Sequence, residues 1–256
     1  MSDTVHMDWT PERVQNFWDY ESQFPQRYFT YTRASSLVAR VKPFLKDARR
    51  IVDYGCGRGY LTEQLLGLGC EVVAADYSPD SVAVVAERFT GRANFQGAFE
   101  VGELESRGES FDAIFVVEVI EHLTDEALAE LFERVGKIAA SGAMVVITTP
   151  NREDLEKKQV FCPACNHAFH RWGHLRSWSD ASLAEYVQAR GWEVVTTIVT
   201  RFPKLIPGRP WKTLWNRIES RLTIKKPNLV IVCRVPRASA GPDTPRPTPH
   251  RARHGG

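Results

Sequence analysis

The sequence predicts a doubly wound α/β fold, with a mostly parallel seven-stranded sheet and an N-terminal helical cap. Short apolar runs alternate with amphipathic helical segments along the chain of 256 residues, as expected of strands and helices in alternation. The first apolar run leads directly into a glycine-rich turn and a helix, the arrangement of a nucleotide-binding turn. At 43% hydrophobic and 25% charged, the composition is that of an ordinary globular protein.

Seven strands are predicted from apolar runs bounded by turn residues, and the last two are expected to pair as an antiparallel edge hairpin. They span residues 50–54, 71–76, 93–97, 111–117, 142–150, 192–200 and 228–235. Helices before and between these strands begin at capping residues. These caps are Thr10-Pro11, Ser78-Pro79, Thr124-Asp125 and Ser179. Gly69 and Gly191 end two of the helices in the manner of C-terminal glycines.

The chain divides into three predicted regions. Residues 1–45 are rich in aromatic side chains and form the helical cap, and residues 46–236 form the α/β domain. That domain carries a Cys- and His-containing insertion at about 151–178. Residues 237–256 are rich in Pro and Arg with almost no large apolar side chain, so they are expected to be disordered.

Composition indicates a cytoplasmic protein without a transmembrane segment. No apolar run reaches the length of a spanning helix, and the first eight residues lack the features of a signal peptide. Five cysteines are too few for a disulfide scaffold of this size. The net charge is +2, and the Lys and Arg residues between 204 and 226 are scattered, so nucleic acid is not expected as a partner. Residues 211–222 within that stretch predict a short amphipathic helix.

The glycine turn after the first strand does not fit two common phosphate-binding motifs. Gly55, Gly57 and Gly59 allow a sharp turn and a close approach to a ligand. The dinucleotide fingerprint needs Gly or Ala where Tyr60 stands, and the sequence contains no P-loop motif.

Two acidic residues suggest the ligand instead. Asp76 closes the second strand, where a carboxylate can accept hydrogen bonds from both ribose hydroxyls. Asp53 closes the first strand and can engage a cationic amino group. A ligand with a ribose and an ammonium group but no pyrophosphate suits this layout, and S-adenosylmethionine is such a ligand.

Three segments in order resemble motifs of class I S-adenosylmethionine-dependent methyltransferases. Residues 52–59 resemble the first motif of the family, residues 74–78 the second, and residues 111–123 the fourth-strand motif of the branch with ubiquinone-biosynthesis O-methyltransferases. The resemblance covers about residues 45–200. It implies a Rossmann-like methyltransferase fold, with adenine contacts after the third strand and Glu118 near the transferred methyl. The cofactor-binding residues expected on this basis are Asp53, Gly55, Cys56, Gly57, Gly59, Asp76, Tyr77, Ala98, Phe99 and Glu118.

Tyr28 and Tyr31 in the helical cap are candidates to close over the cofactor. Core packing explains these two tyrosines equally well.

One candidate metal set stands at the end of the fourth strand. Glu118, Glu121 and His122, together with His174, resemble the metal-binding set of small-RNA 3′-terminal 2′-O-methyltransferases. Carboxylates and imidazoles suit a divalent ion that lowers the pKa of a bound hydroxyl. In the alternative interpretation, His122 caps or packs at the entry of the next helix.

A second candidate metal set lies in the insertion. Cys162 and Cys165 have the spacing of half a zinc site, and His167 and His170 are the nearest residues to complete it. Such a knuckle would hold the insertion rigid. The alternative is a pair of reduced thiols in a flexible loop.

These observations favour an S-adenosylmethionine-dependent methyltransferase that modifies a small molecule, most simply at oxygen. His174 or His170 is the expected general base, with His174 favoured because it leads directly into an ordered helix, and Glu118 completes the catalytic set. Two alternatives stay open: a metal-dependent RNA ribose 2′-O-methyltransferase, and a non-catalytic protein that binds the cofactor or zinc. The identity of the acceptor and the oligomeric state are not indicated.

Overall fold

The computed structural model describes residues 5–205 and 210–236. Its strands are β1 (Val5–His6), β2 (Arg50–Tyr54), β3 (Glu71–Asp76), β4 (Phe95–Glu100), β5 (Phe111–Val117), β6 (Ala139–Pro150), β7 (Gln159–Cys162), β8 (His167–His170), β9 (Glu193–Thr200) and β10 (Asn228–Arg234). Its α-helices are α1 (Pro11–Glu21), α2 (Phe29–Val41), α3 (Tyr60–Leu66), α4 (Pro79–Phe89), α5 (Val101–Ser106), α6 (Asp125–Ile138), α7 (Asp180–Gln188) and α8 (Pro210–Leu222).

Seven strands form the main sheet, in the order β4-β3-β2-β5-β6-β10-β9. The pairs among β2 to β6 are parallel, whereas β10 runs antiparallel to both β6 and β9. This arrangement confirms the predicted fold class and the antiparallel pair at one edge. Parallel strands need helical crossovers, and these cover the sheet on both faces.

Two strands depart from their predicted bounds by two or more residues, and β9 and β10 each depart by one. The third begins at Phe95, two residues later than expected, because the Asn94 side chain donates to the Leu66 and Cys70 carbonyls and fixes a turn there. The fifth begins at Ala139, earlier than expected, and accommodates Gly142 at a φ of 81°.

Alternate side chains of each central strand enter two separate cores. On one face, Val52, Tyr54 and Val73 join apolar residues of α5, α6 and α7. On the other face, Ile51 and Val72 join apolar residues of α2, α3 and α4. The sheet is therefore buried on both sides, as its near-continuous apolar strands predict.

The N-terminal segment contains α1 and α2, which matches the helices expected there. The Thr10 hydroxyl caps α1 by accepting from the Arg13 N–H at 3.4 Å, and Pro11 occupies the first helical position. The buried residues of α2 pack on the sheet face formed with α3 and α4. The boundary at residue 45 stays a prediction.

A second sheet, which the sequence analysis did not anticipate, joins the N-terminal segment to the insertion. Its order is β1-β8-β7, with β1 parallel to β8 and β7 antiparallel to β8. Trp9 continues this contact, since its ring lies edge-on to Phe169 with centroids 6.1 Å apart. The N-terminal cap and the insertion are therefore joined into one continuous layer, which we call the cover.

The predicted amphipathic helix is present as α8. None of the described helices is long and apolar enough to cross a membrane. The tail at 237–256, for which disorder is expected, lies outside the described residues.

Gly59 precedes α3 at a φ of 74°, and a Cβ there would lie 2.8 Å from Cε2 of Phe89. Gly91 has a φ of 81° but open space around it, so a substitution there tests the strain of the left-handed backbone without any steric clash. We expect Gly91→Ala to lower the free energy of unfolding by about 1–2 kcal/mol through left-handed strain. Gly59→Ala should cost about 1–3 kcal/mol more through overpacking. Urea unfolding of both variants measures the difference, and equal losses would contradict the role of close packing at Gly59.

Candidate functional site

Acidic residues gather where the parallel strands end. Asp53 lies in β2, Asp76 is the last residue of β3 and Glu118 directly follows β5. Since these strands are neighbours in the sheet, their carboxyl ends share one edge. Ligands of open α/β sheets bind at this edge.

The glycine turn is tied to β3 by backbone and carboxylate hydrogen bonds. Both Gly55 and Cys56 donate their N–H groups to the Ala75 carbonyl, at 2.8 and 3.0 Å. The Asp76 carboxylate accepts from the Gly57 N–H at 2.8 Å and, through its other oxygen, from the Ser78 N–H at 2.9 Å. Burial raises the pKa of Asp76 despite these hydrogen bonds.

All three turn glycines have positive φ values, of 84°, 51° and 74° along the chain. A Cβ at Gly55 would lie 2.7 Å from Cγ2 of Val119, so this backbone passes close to the residue after Glu118. The turn and the end of β5 are therefore in direct contact.

Asp53 lies below the turn and is fully buried. Its carboxylate accepts a hydrogen bond from the Thr62 hydroxyl at 2.6 Å, from the first turn of α3. Burial raises the pKa of Asp53 to about 7, and the Thr62 hydrogen bond opposes this rise.

Glu118 has a φ of 55°, which is uncommon for a residue with a side chain. Its carboxylate accepts from the Thr148 hydroxyl at 2.8 Å. Burial raises the pKa of Glu118 to about 7, while the Thr148 hydrogen bond and the Arg33 guanidinium act in the opposite direction. Strained backbone of this kind is concentrated at functional sites.

Glu121 and His122 follow in a short 3₁₀ turn. Glu121 is 1% exposed. One oxygen of its carboxylate accepts from the Thr149 hydroxyl at 3.1 Å, while the other has no hydrogen-bond partner among the described residues. The Nδ1 atom of His122 lies 3.4 Å from the Gly173 carbonyl oxygen. Burial raises the pKa of Glu121, and burial together with the neighbouring His174 lowers the pKa of His122 to about 3.

The insertion brings a carboxylate and two imidazoles to the same place. Glu153 binds Nδ1 of His174 through one oxygen, and its other oxygen lies 3.7 Å from Nε2 of His170. The two imidazole rings stack with centroids 4.4 Å apart. Burial raises the pKa of Glu153, but the His174 hydrogen bond and the two imidazoles outweigh it and lower the pKa below its ordinary value.

His170 and His174 differ in which ring nitrogen is held by a hydrogen bond and in whether the other can accept a proton. Nδ1 of His170 accepts the N–H groups of Trp172 at 3.3 Å and His174 at 3.1 Å, so a neutral His170 ring carries its proton on Nε2. Nδ1 of His174 faces the Glu153 carboxylate, so a neutral His174 ring has its lone pair on Nε2. Burial lowers the pKa of His170 to about 4.

Two groups of described residues have the spacing of metal ligands: Glu121 with His122 and His174, and Glu153 with His170 and His174. Neither group contains Glu118, whose carboxylate is bound by Thr148. Three of the four residues in the first predicted metal set are thus brought together.

The expected zinc set is only partly assembled. Cys162 and His167 face each other across the β7–β8 hairpin, and His167 Nδ1 lies 2.7 Å from the Cys165 carbonyl oxygen. The N–H groups of Cys165 and Ala164 lower the pKa of the Cys162 thiol. The expected fourth ligand, His170, requires correction: it pairs with Gln159 at the far end of the hairpin and stacks on His174.

The expected adenine contacts lie at the end of β4. Ala98 pairs with Ala74 of β3, and Phe99 packs under the Arg107 guanidinium at 4.1 Å from the ring centroid. Tyr77 is exposed at the end of β3. The adenine assignment of Ala98 and Phe99 stays a prediction.

The cap tyrosines reach the glycine turn. Tyr28 lies 3.7 Å from the position that a Cβ at Gly57 would occupy, and burial raises the pKa of its phenol to about 12. Tyr28 and Tyr31 both pack edge-on against Tyr60 at the start of α3.

Glu153, and the threonines that bind the carboxylates at this edge, were not predicted from the sequence. Glu153 is an acidic residue just after the fifth strand, at the same edge as the other acids, and this position was the available signal. Thr62, Thr148 and Thr149 gave no comparable signal, because threonine is common in strands and helices alike.

A family model described as a methyltransferase domain matches residues 26–197. A ubiquinone biosynthesis O-methyltransferase from Azorhizobium caulinodans is 33% identical over 123 residues, which are 44% of this chain and 47% of that protein. This chain therefore spans about half the length of the curated relatives that it matches.

Solved structures with the same fold include an S-adenosylmethionine-dependent methyltransferase from Archaeoglobus fulgidus, with a TM-score of 0.57 and 18% identity over 85% of this chain and 99% of that one. Another is the 1,6-didemethyltoxoflavin-N1-methyltransferase of Burkholderia thailandensis with bound 1,6-didemethyltoxoflavin and S-adenosylhomocysteine. Its TM-score is 0.60, with 18% identity over 90% of this chain and 92% of that one.

The raised pKa of Asp53 predicts a pH-dependent stability. An unfolded Asp titrates near pH 4, so between about pH 4 and pH 7 the folded state holds a proton that the unfolded state releases. Folding stability should therefore fall as pH rises through this window, by at most about 1.4 kcal/mol per pH unit. Asp76, Glu118 and Glu121 also have raised pKa values and contribute in the same direction. Asp53→Asn should therefore have a shallower slope than wild type in denaturant unfolding measured across the window. The control is Asp80→Asn, which removes an exposed carboxylate at the start of α4 and should keep the slope of wild type. An unchanged slope in Asp53→Asn would contradict the raised pKa of Asp53.

Proposed function

Because the chain belongs to the methyltransferase domain family, we propose that it transfers the methyl group of S-adenosylmethionine to a hydroxyl group of a small molecule. The name of the curated relatives, which includes O-methyltransferase, supports oxygen as the acceptor atom. The acceptor is a hydroxyl compound small enough to enter beneath the cap, of the sugar, quinol or secondary-metabolite type.

The glycine turn and the two aspartates fit the cofactor. Asp76 turns a carboxylate toward the turn, where the ribose hydroxyls of the cofactor can donate to it in addition to the Gly57 and Ser78 N–H groups. Asp53 is buried and Glu118 is half-buried, and the ionised forms of these two carboxyl groups suit a ligand that carries an ammonium and a sulfonium. When bound, S-adenosylmethionine supplies an electrophilic methyl group, and these residues position and stabilise the cation.

The single observation that carries the mechanism is the Glu153–His174 pair at the carboxyl edge. Glu153 accepts from Nδ1 of His174, which orients the ring and leaves Nε2 to take the proton of the attacking hydroxyl. His170 does not suit this role, because its Nδ1 already accepts two backbone N–H groups. Of the two candidate bases, the geometry therefore favours His174.

Loss of the Asp76 carboxylate should weaken cofactor binding. We expect Asp76→Ala to raise the Kd for S-adenosylmethionine more than tenfold, since hydrogen bonds to a charged group contribute about 1.5–3 kcal/mol. Isothermal titration calorimetry measures the effect, and Asp80→Ala in the neighbouring helix is the matched control. An unchanged Kd in Asp76→Ala would contradict the proposed cofactor site.

Loss of the base should lower turnover and leave cofactor affinity intact. We expect His174→Gln to reduce methyl transfer about 10²–10⁴-fold, the usual contribution of a general base, and Glu153→Gln to shift the pH profile of the remaining activity. The assay follows transfer of a labelled methyl group to a panel of phenols, catechols and sugars. His167→Gln, in the same insertion but at the start of β8, is the control. Full activity of His174→Gln would contradict the role of His174.

A divalent cation is a second possibility at the same place, favoured by the donor set of Glu121, His122 and His174. One oxygen of Glu121 is buried without a partner in the part of the chain that the structure describes. Nδ1 of each histidine faces an oxygen acceptor, Gly173 or Glu153. Metal-ligating histidines show this arrangement of the second nitrogen. A bound cation would supply Lewis acidity that lowers the pKa of an acceptor hydroxyl.

A chelator separates the two possibilities. If His174 acts as a base alone, activity should persist after exhaustive treatment with EDTA, and Glu121→Gln should leave methyl transfer within a few-fold of wild type. If a cation is required, EDTA should abolish activity and added Mg²⁺ or Mn²⁺ should restore it.

The comparisons lend no support to the two alternatives that the sequence left open, an RNA substrate and a non-catalytic role.

A further inference from the structure

Helix α8 turns its apolar side away from the protein. Its large apolar side chains recur at intervals of three and four residues and form one stripe along the helix. They are between 46% and 77% exposed and comprise Trp211, Leu214, Trp215, Ile218 and Leu222. Ile224, just beyond the helix, is 97% exposed. Burying such a stripe is the usual reason for an amphipathic helix, and here the described part of the chain does not bury it.

The opposite side of α8 faces the protein and is polar. Thr213, Asn216 and Ser220 lie on this side and are half-buried. The Asn216 side-chain amide donates to the Lys204 carbonyl at 3.0 Å, and Glu219 lies 3.7 Å from the Arg201 guanidinium. The helix is thus held through its polar residues, with its amphipathic pattern inverted relative to a helix that packs on a core.

Basic residues surround the exposed stripe. Residues 210–226 contain five Lys and Arg residues and a single acidic residue, Glu219. On a helical projection, Arg217 and Arg221 flank one side of the stripe, and Glu219 and Lys212 flank the other. Lys225 and Lys226 follow at the end and are exposed. Two Trp residues in the stripe add side chains that prefer the boundary between hydrocarbon and water.

We propose that α8 binds the surface of an anionic phospholipid bilayer, with its apolar stripe in the acyl boundary and its basic residues among the phosphate groups. A strongly apolar face bordered by Lys and Arg is the composition of interfacial helices. Self-association through the same stripe is disfavoured, because it would bring two equally basic rims together. The helix lies on the bilayer and does not span it.

The position of α8 relates this surface to the candidate site. β9 runs parallel to β6, because both are antiparallel to β10, so the connection that leads from β9 to α8 leaves the sheet at its carboxyl edge. The Leu205 N–H donates to the Thr32 carbonyl of α2 at 2.8 Å, which ties this connection to the cap. A bilayer bound by α8 therefore lies at the edge of the sheet that also carries Glu118 and Glu153.

Co-sedimentation of the full chain with vesicles tests the proposal without any assay of methyl transfer. We expect binding to phosphatidylcholine vesicles that contain phosphatidylglycerol, at least tenfold weaker binding to pure phosphatidylcholine, and weakening by salt. Trp215→Glu combined with Leu222→Glu should reduce binding at least tenfold, because it places two charges in the stripe. Both residues are exposed, so thermal unfolding of this double variant should match wild type. Phe161→Glu, at an exposed apolar residue of the β7–β8 hairpin, is the matched control and should bind as wild type does.

Three results would overturn the proposal. The first is no sedimentation of wild type with anionic vesicles. The second is undiminished binding of the double variant, which would assign the interaction to another part of the chain. The third is a dimer that analytical ultracentrifugation detects without lipid and that the same two substitutions dissociate. A second copy of the chain would then cover the stripe.

Discussion

Three carboxyl groups at the carboxyl edge of the sheet, two buried and one half-buried, each accept a hydrogen bond from a threonine hydroxyl. The pairs are Asp53 with Thr62, Glu118 with Thr148, and Glu121 with Thr149. A hydrogen bond from a neutral hydroxyl stabilises a carboxylate less than contact with a positively charged side chain would. The effect of burial therefore outweighs that of these hydrogen bonds, and all three pKa values rise. The edge is therefore ready to accept a positively charged ligand, and the glycine turn, the cap and the insertion are arranged around it.

The cap and the insertion shield this edge from water. Trp18 of α1 packs edge-on against His122 with centroids 5.0 Å apart, and His122 packs in turn against His174 at 4.7 Å. Aromatic contacts thus run from the cap through the site to the insertion. Exclusion of water strengthens electrostatic interactions inside a site and protects a reactive methyl donor from hydrolysis.

The sequence predicted the main sheet well because its strands are nearly continuous apolar runs, which both faces of the sheet require. It also located Asp53, Asp76 and Glu118, since an acid at the end of a strand has a position in the fold that does not depend on distant residues. Glu153 was missed, because its partner His174 is 21 residues away and only the path of the insertion brings them together. The β1–β8–β7 sheet was missed because short, partly exposed strands leave little apolar pattern. The same limit explains His170, whose distance from Cys162 depends on where the hairpin turns.

The β1–β8 pairing determines how this cover can open. Two backbone hydrogen bonds, from Val5 N–H to the Asn166 carbonyl at 3.4 Å and from Met7 N–H to the Ala168 carbonyl at 3.0 Å, join the N-terminal segment to the hairpin. Short exposed pairings of this kind open at much lower free energy than a central strand. The hairpin can therefore swing away while the main sheet and the buried acids keep their arrangement. Opening of this pairing would uncover the carboxyl edge of the sheet on the timescale of loop motion.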